Sequence, residues 1–489
     1  MRPERPRVAL LPSSMNDAPP KRALLFAPYF LPRRRVGSMR PFRFAIHLRE
    51  FGWQPTVLTI AAEGQGLTEK EARLLSGVEI VRLRPPFDRS TSAESQLGLA
   101  SEQAEGDGRG SLGTRGIQQP GSGAASSSRK TTSDRPLLQR LLKRALDGFD
   151  RQFPVDTWLL FFLLKYRRIA RVVRRVRPHV MWSTGDPWSG LVVGAHLRRR
   201  FGIPWVADFR DPWTLSSVRT VGKSRPTRAA NRFFERRVVE RADAVLFQAE
   251  QTEAKYRRHY APHAPRMQTI YNSYDPEVFD DPVADGEAVP AASSKDHLDI
   301  GFFGRFREMS PATLMTDVLA ALRERHGTET GVRVHSFGPL TAADARYATR
   351  RGVRENFCRC AAVPLEQALS ALRRFDVLLV STDPRRDEII PAKLLEYLAA
   401  GRPVLSFSKN PEVARILRRT GTGVQRDPEA PGAGADLLAR CLDAKREGRA
   451  LPLSFAPQPE EVRRFAARPT TKKLAALFDS IARPAPTAT

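Results

Sequence analysis

The densest run of chemistry-bearing residues spans 387–404 and reads D-E-I-I-P-A-K-L-L-E-Y-L-A-A-G-R-P-V. Two carboxylates, Glu388 and Glu396, have seven residues between them in it. Pro391 suits the first position of a helix, where its missing N–H costs nothing. A helix from there puts Lys393 in the first turn and Glu396 about a turn and a half inside. Gly401 and Pro403 end it and lead into an apolar strand. The first turn offers free N–H groups and a partial positive charge to an anion. Lys393 adds a full charge, and Glu396 can accept two hydroxyl hydrogen bonds from a ribose. The same spacing also fits a solvated helix with Lys393 and Glu396 as a surface pair, and spacing alone does not separate the two.

A second concentration is P-W-V-A-D-F-R-D-P-W at residues 204–213, which follows S-T-G-D-P-W at 183–188. A carboxylate ending a strand there, Asp208 or Asp211, can bind an acceptor hydroxyl or take its proton. Capping a helix or pairing with Arg210 uses the same residues, and Asp186 is equally an N-cap. Near the N-terminus, Gly37 lets backbone approach a ligand at a helix start, and Arg40 follows it to meet a phosphate or the acceptor. Cys358 and Cys360 form a C-x-C without a companion pair, and the eight His show no metal-ligand spacing, so no metal site is expected.

These residues need elements that converge. Residues 22–27 and 54–60 read as strands flanking a helix that opens at Gly37 and Ser38, with Ser38 as N-cap, and runs to Phe51. Strand, helix, strand with short links implies a right-handed parallel unit. The alternation resumes with a helix at 158–177, a strand at 179–184, a helix at 187–201 and a strand at 205–208. A helix at 228–241 and strands at 244–247 and 267–270 follow. A second series has strands at 298–303, 332–337, 377–381 and 404–407, interleaved with helices at 311–326, 364–373, 391–400 and 411–420. A last helix is expected near 460–481. The fold class is therefore α/β, two Rossmann-like domains facing across a cleft, with ligands at the carboxyl ends of the strands. The expected organisation is a disordered leader at 1–22, an N-terminal domain at 23–279, a linker at 280–297, a donor domain at 298–457 and a C-terminal helix and tail at 458–489. Residues 89–135 are rich in Ser, Gly, Ala and Gln with no aromatic, and read as a disordered, dispensable insertion.

Composition sets further bounds. The 489 residues carry a formal charge of +27, with 13 Lys and 67 Arg making up the 80 basic residues. Either an anionic partner or a composition bias that spreads Arg over solvated helix faces accounts for it. No apolar run is long enough to span a bilayer, and no secretory h-region is present, so a cytoplasmic location is expected. One segment bears on membranes: W-L-L-F-F-L-L at 158–164 precedes Lys165, Arg167, Arg168, Arg171, Arg174 and Arg175. It fits peripheral attachment to an anionic bilayer or a buried packing helix with a basic outer face. No aromatic-interleaved basic stripe or reading motif points to nucleic acid.

The E-x7-E pattern followed by L-A-A-G-R-P-V resembles the donor-site signature of family 4 retaining glycosyltransferases of the GT-B fold. G-F-F-G-R-F at 301–306, T-I-Y-N-S-Y-D-P-E-V-F at 269–279 and the stretch from Phe26 through Arg40 resemble other segments of that family, in the same order. The resemblance implies transfer of a sugar from a nucleotide-sugar donor to a glycan, lipid-linked or small-molecule acceptor, with retention and without a cofactor. It implies that Glu388 contacts the transferred sugar, Glu396 the ribose, and Arg305 with Gly304 the diphosphate; the Lys that relatives carry a few residues after that Arg is missing here, and Arg307 or Lys393 is its substitute. Where relatives carry Gly-Phe-Gly after the first Glu, this chain has Ile389, Ile390 and Pro391. A nucleotide-sugar epimerase of similar fold is the alternative; it needs an acid/base set in the cleft that this sequence does not display.

Overall fold

The computed structural model describes residues 20–34, 36–62, 66–85, 152–278, 294–327, 331–360 and 365–482. Most of the expected leader, the 89–135 insertion and most of the linker lie outside these residues.

Two sheets organise the molecule. The first comprises β1 (Lys21–Phe26), β2 (Trp53–Ile60), β3 (Glu79–Leu83), β4 (Val180–Gly185), β5 (Trp205–Phe209), β6 (Ala244–Phe247) and β7 (Met267–Thr269). Their order is β3-β2-β1-β4-β5-β6-β7, and every recorded pairing is parallel. The second holds β8 (Leu298–Phe302), β9 (Val332–Ser336), β10 (Phe357–Arg359), β11 (Val377–Ser381), β12 (Val404–Phe407) and β13 (Gly423–Arg426), ordered β10-β9-β8-β11-β12-β13. It too is parallel. Helices cover both faces, so central strands such as β4, β5 and β11 are buried along their whole length. Strand order reverses between β1 and β4 in the first sheet and between β8 and β11 in the second. Each reversal splays two loops apart at the carboxyl edge and opens a crevice.

Local sequence explains the element ends. The helix Pro411–Thr420 starts with Pro411 at its first position, and the Asn410 side chain accepts from the Glu412 N–H at 2.8 Å. Gly421, at φ 63°, ends it in the left-handed conformation. The expected helix at 158–177 divides at Lys165 into Trp158–Leu164 and Tyr166–Val176. The break lets Phe161 and Phe162 face the core together with Ile169, Val172 and Val176. Ser38 is not the N-cap of the first helix. That helix runs Val36–His47, and the Ser38 hydroxyl inside its first turn donates to the Arg33 carbonyl. The leader boundary also shifts, because β1 already begins at Lys21.

The chain crosses between the sheets twice. After the second sheet, the helix Ala467–Ile481 returns to pack beside Val36–His47. Phe478 meets Trp53 edge-on at 5.3 Å between centroids, and Asp479 accepts from Lys21 at 2.7 Å. Leu474 and Phe478 thereby join the apolar core formed by Leu48, Trp53, Val57 and Trp182.

Candidate active site

Arg40, one turn into the helix Val36–His47, turns toward β5 and meets Asp208. Its Nε donates to one carboxylate oxygen at 2.8 Å and its NH2 to the other at 2.9 Å. The two side chains are 2% and 0% exposed. Arg40 NH1 also donates to the Tyr271 carbonyl at 2.9 Å. Each Asp208 oxygen thus accepts from Arg40, whose fork is directed inside the protein. Together they lock the first helix to the centre of the sheet.

Gly37 lies against the Arg210 side chain. A β-carbon at Gly37 would stand 1.8 Å from Arg210 NH1. Glycine is needed because the guanidinium of the loop after β5 lies against the first turn of the helix. In that loop, Asp211 accepts from Arg219 at 2.9 Å and from Gln248 at 3.2 Å, while Arg210 NH2 lies 3.8 Å away. Arg219 also donates to Asp186, at 3.0 Å. Burial pushes the Asp211 carboxyl up, but Arg219, Arg210 and Arg386 outweigh it, and it is held below its ordinary value. The loop is anchored by Glu235, fully buried, which accepts from Thr214 N–H and Oγ1 at 2.7 Å, Tyr256 at 2.7 Å and Tyr260 at 2.8 Å.

The second sheet brings its own loops opposite. After β11, buried Glu388 accepts from the Ser217 N–H at 3.3 Å and its hydroxyl at 3.2 Å, so the two carboxyl edges touch. Burial raises the Glu388 carboxyl, and the neighbouring Asp387 adds to the effect. Arg386, 7% exposed, lies in the same loop, and its Nε has no hydrogen-bond partner.

The donor-side residues gather at the β8–β11 reversal. Gly304 adopts φ 93°, open only to glycine without strain, and turns the chain after β8. Arg305 then lies along Gly338, whose added β-carbon would sit 2.1 Å from Arg305 Cγ. Lys393, in the first turn of the helix Ala392–Ala399, places Nζ 3.5 Å from the Phe302 ring centroid. Phe302 stacks on Phe306 at 3.8 Å. Burial drives the Lys393 ammonium well below its usual range, and nearby Arg307 pushes the same way. Glu396 accepts from Arg43 NH2 at 2.7 Å across the domains, while its Oε2 is buried without a partner. Burial raises this carboxyl, against the pull of Arg43. Among the described residues no group of three or more His, Cys, Asp or Glu is placed to hold a metal ion.

Sequence reasoning missed Arg43, Ser217, Arg219 and Arg386. Only Arg43 carried a local signal, one turn beyond Arg40 on the same helix. Its carboxylate partner is 353 residues distant.

Two parallel sheets, each with a crevice at its strand-order reversal, and loop contacts between their carboxyl edges, make the two-domain GT-B architecture. Residues 127–273 match the model of a glycosyl transferase 4-like domain, and residues 297–444 match that of glycosyl transferases group 1. The chain belongs to this glycosyltransferase family and is a GT-B glycosyltransferase. Similar solved structures include sucrose-phosphate synthase from Thermosynechococcus elongatus, at 16% identity and TM-score 0.56, covering 94% of this chain and 98% of that one. Anabaena HepE in complex with UDP-glucose matches at 14% identity and TM-score 0.55, over 94% and 99% of the two chains. An Escherichia coli trehalose-6-phosphate structure bound with UDP-2-fluoro glucose matches at 11% identity and TM-score 0.58, over 94% and 100%. At these identities the likeness is one of fold. No curated protein matches the sequence.

Proposed function

We propose that the protein transfers a sugar, with retention, from a nucleoside-diphosphate sugar to a glycan, lipid-linked or small-molecule acceptor. The observation that carries this reading is the pairing, on one short helix, of two groups prepared for a ligand. Half-buried Lys393 holds its ammonium over Phe302 without a carboxylate partner among the described residues, and Glu396 keeps one buried oxygen free of partners there. The second domain then holds the donor: Arg305, Lys393 and the helix start meet the diphosphate, the Gly304 turn admits it, and Glu396 Oε2 takes a ribose hydroxyl. No metal is required, because these groups meet the charge that grows on the leaving diphosphate. Glu388, uncharged over a wider pH range than an ordinary carboxyl, contacts the transferred sugar. Asp211, held ionised by three guanidinia, is a poor proton acceptor and orients the loop instead.

The test is thermal stabilisation by a panel of nucleotide sugars, beginning with UDP-glucose. A ligand at 100 times its Kd stabilises by about 2.7 kcal/mol. With the donor found, Glu396→Gln is expected to raise donor KM about tenfold and leave kcat within about twofold, since the ribose contact changes little during reaction. An unchanged KM removes Glu396 from the ribose. Failure of every nucleotide sugar to stabilise sinks the donor reading.

The acceptor side carries a membrane proposal. No helix among the described residues is long and apolar enough to cross a bilayer. Yet Leu160, Leu163 and Leu164 are 53%, 59% and 77% exposed, beside the exposed Arg167, Arg168 and Arg171. No Asp or Glu occurs between Asp156 and Asp186. Three outward leucines with unopposed cations suit an anionic lipid surface, and hence a lipid-linked acceptor. Sedimentation with phosphatidylserine vesicles is expected to be strong at low ionic strength, weaker with salt, and reduced in L160E/L164E. Equal recovery on neutral vesicles would sink it.

A further inference from the structure

We propose that the groove between the helices Ser189–Phe201 and Arg225–Arg241 seats the phosphate headgroup of an anionic phospholipid, so that the protein grips a single lipid besides lying on the bilayer. The inference deepens the membrane reading of the leucine face and rests on it for the source of the phosphate.

The two helices pack side by side on the outside of the first sheet. The groove between them has a volume of about 510 Å³, within the range of small-ligand sites. Buried Ala195 and Val238 lie at its base. Phe233, 54% exposed, stands beside it, edge-on to Phe234 at 5.5 Å between centroids. Arg199, Arg237 and Arg241 line the same groove, together with His196. An apolar base with three guanidinia around it suits a phosphate carried on an apolar body.

These cations exceed their counter-charges. Among the described residues, Arg199 and Arg241 form no ion pair. Arg237 has only Glu240, at 3.9 Å, and Glu240 is already paired with Arg236 at 2.8 Å. The other acid of that helix, Glu235, is fully buried and held by Thr214, Tyr256 and Tyr260. The helix Ser189–Phe201 contains no acid. Its negative end, and that of its neighbour, offset about half a charge each, short of the cations in their last turns. Burial, and then Arg199, Arg241 and Arg200, push the His196 imidazole below its ordinary value, which leaves it neutral and able to hydrogen-bond.

Continuity with the leucine face favours a lipid. His196 meets Tyr166 edge-on at 4.9 Å, and Tyr166 lies two residues beyond Leu164, which is 77% exposed. The groove and the leucine face therefore share a border. Between Asp156 and Asp208 the only acid is Asp186. A second copy of a chain carrying +27 has little to offer such a groove. The sugar-transfer cleft does not account for it either. Helices that follow parallel strands end at the amino edge of the sheet, and Arg199 and Arg241 lie in last turns, away from the crevice.

Dihexanoyl phosphatidylglycerol, kept below its micelle concentration, tests the groove without a bilayer. Calorimetry on the full-length protein is expected to show saturable binding of one molecule per chain. Arg237→Ala and the double variant Arg199→Ala/Arg241→Ala are each expected to weaken it about tenfold or more. Arg463→Ala/Arg464→Ala removes two charges from the other domain and is expected to bind as wild type. All are surface positions, so the variants should melt with the wild type. L160E/L164E should still bind the short-chain lipid while losing anionic vesicles, so the leucine face and the groove stand or fall separately. Short-chain lipid binding by a wild type that ignores vesicles would fell the leucine face and support the groove. Equal affinity in wild type and groove variants would overturn the proposal. Inorganic phosphate bound as tightly as the lipid would assign the groove to free phosphate, and tighter binding of poly-glutamate would assign it to an acidic protein; either result overturns it as well.

Discussion

Lys393→Met is expected to lower turnover by about 100- to 1,000-fold, the loss typical of removing one preorganised electrostatic contact. The same change is expected to raise the melting temperature of the unliganded protein. Both effects come from one cause. The ammonium is packed over Phe302 and beside Arg307 with no carboxylate among the described residues to meet it, so burial disfavours its charged form in the folded state. Its folded pKa therefore lies below the unfolded value. Between the two, the unfolded chain binds the extra proton, and stability rises with pH. The stability gap between Lys393→Met and wild type should be widest below the folded pKa and close as pH approaches the ordinary lysine range. Diphosphate binding restores the charge, so UDP should take up a proton at any pH above the depressed pKa. Calorimetry in buffers of different ionisation enthalpy reads that uptake. A variant that is both less stable and fully active would remove Lys393 from the donor site.

Arg40→Met is expected to cost about 3–5 kcal/mol of stability, because it leaves Asp208 charged, enclosed and unpaired. The double variant Arg40→Met/Asp208→Leu is expected to recover most of that, since an apolar pair of similar volume needs no solvation. Urea unfolding of the N-terminal domain measures both. A single variant costing under about 1 kcal/mol would contradict a dry ion pair. A double variant no better than the single would show that the charges do more than neutralise each other.

That pair also marks where sequence reading stops. Asp208 sits in W-V-A-D-F, a strand apolar on both sides, and a charge there has to be paired inside. The strand was legible, but the partner, 168 residues upstream, was not. Short-range information did better. The spacing of Glu388, Lys393 and Glu396 and the stop at Gly401 are written in consecutive residues, and the helix Pro411–Thr420 has the expected limits because its cap, proline and closing glycine are all local. The missed strands β3, β10 and β13 are sheet edges carrying Glu79, Arg82, Arg359 and Arg426. Charge guards an edge against further pairing, and it also hides the strand from a hydrophobic pattern. Arg210 pairs with the neighbouring Asp211, as the local run suggests, but nothing near it shows that Gly37, 173 positions earlier, makes room for it.

The returning helix Ala467–Ile481 gives the molecule an order of assembly in time. Trp53 is finished by Phe478, so the apolar patch around Trp53 leaves the ribosome uncovered. At about 5–20 residues per second, some tens of seconds of synthesis separate the two residues. During that interval the whole second domain emerges and can fold around its own core. The domain begun first is thus completed last.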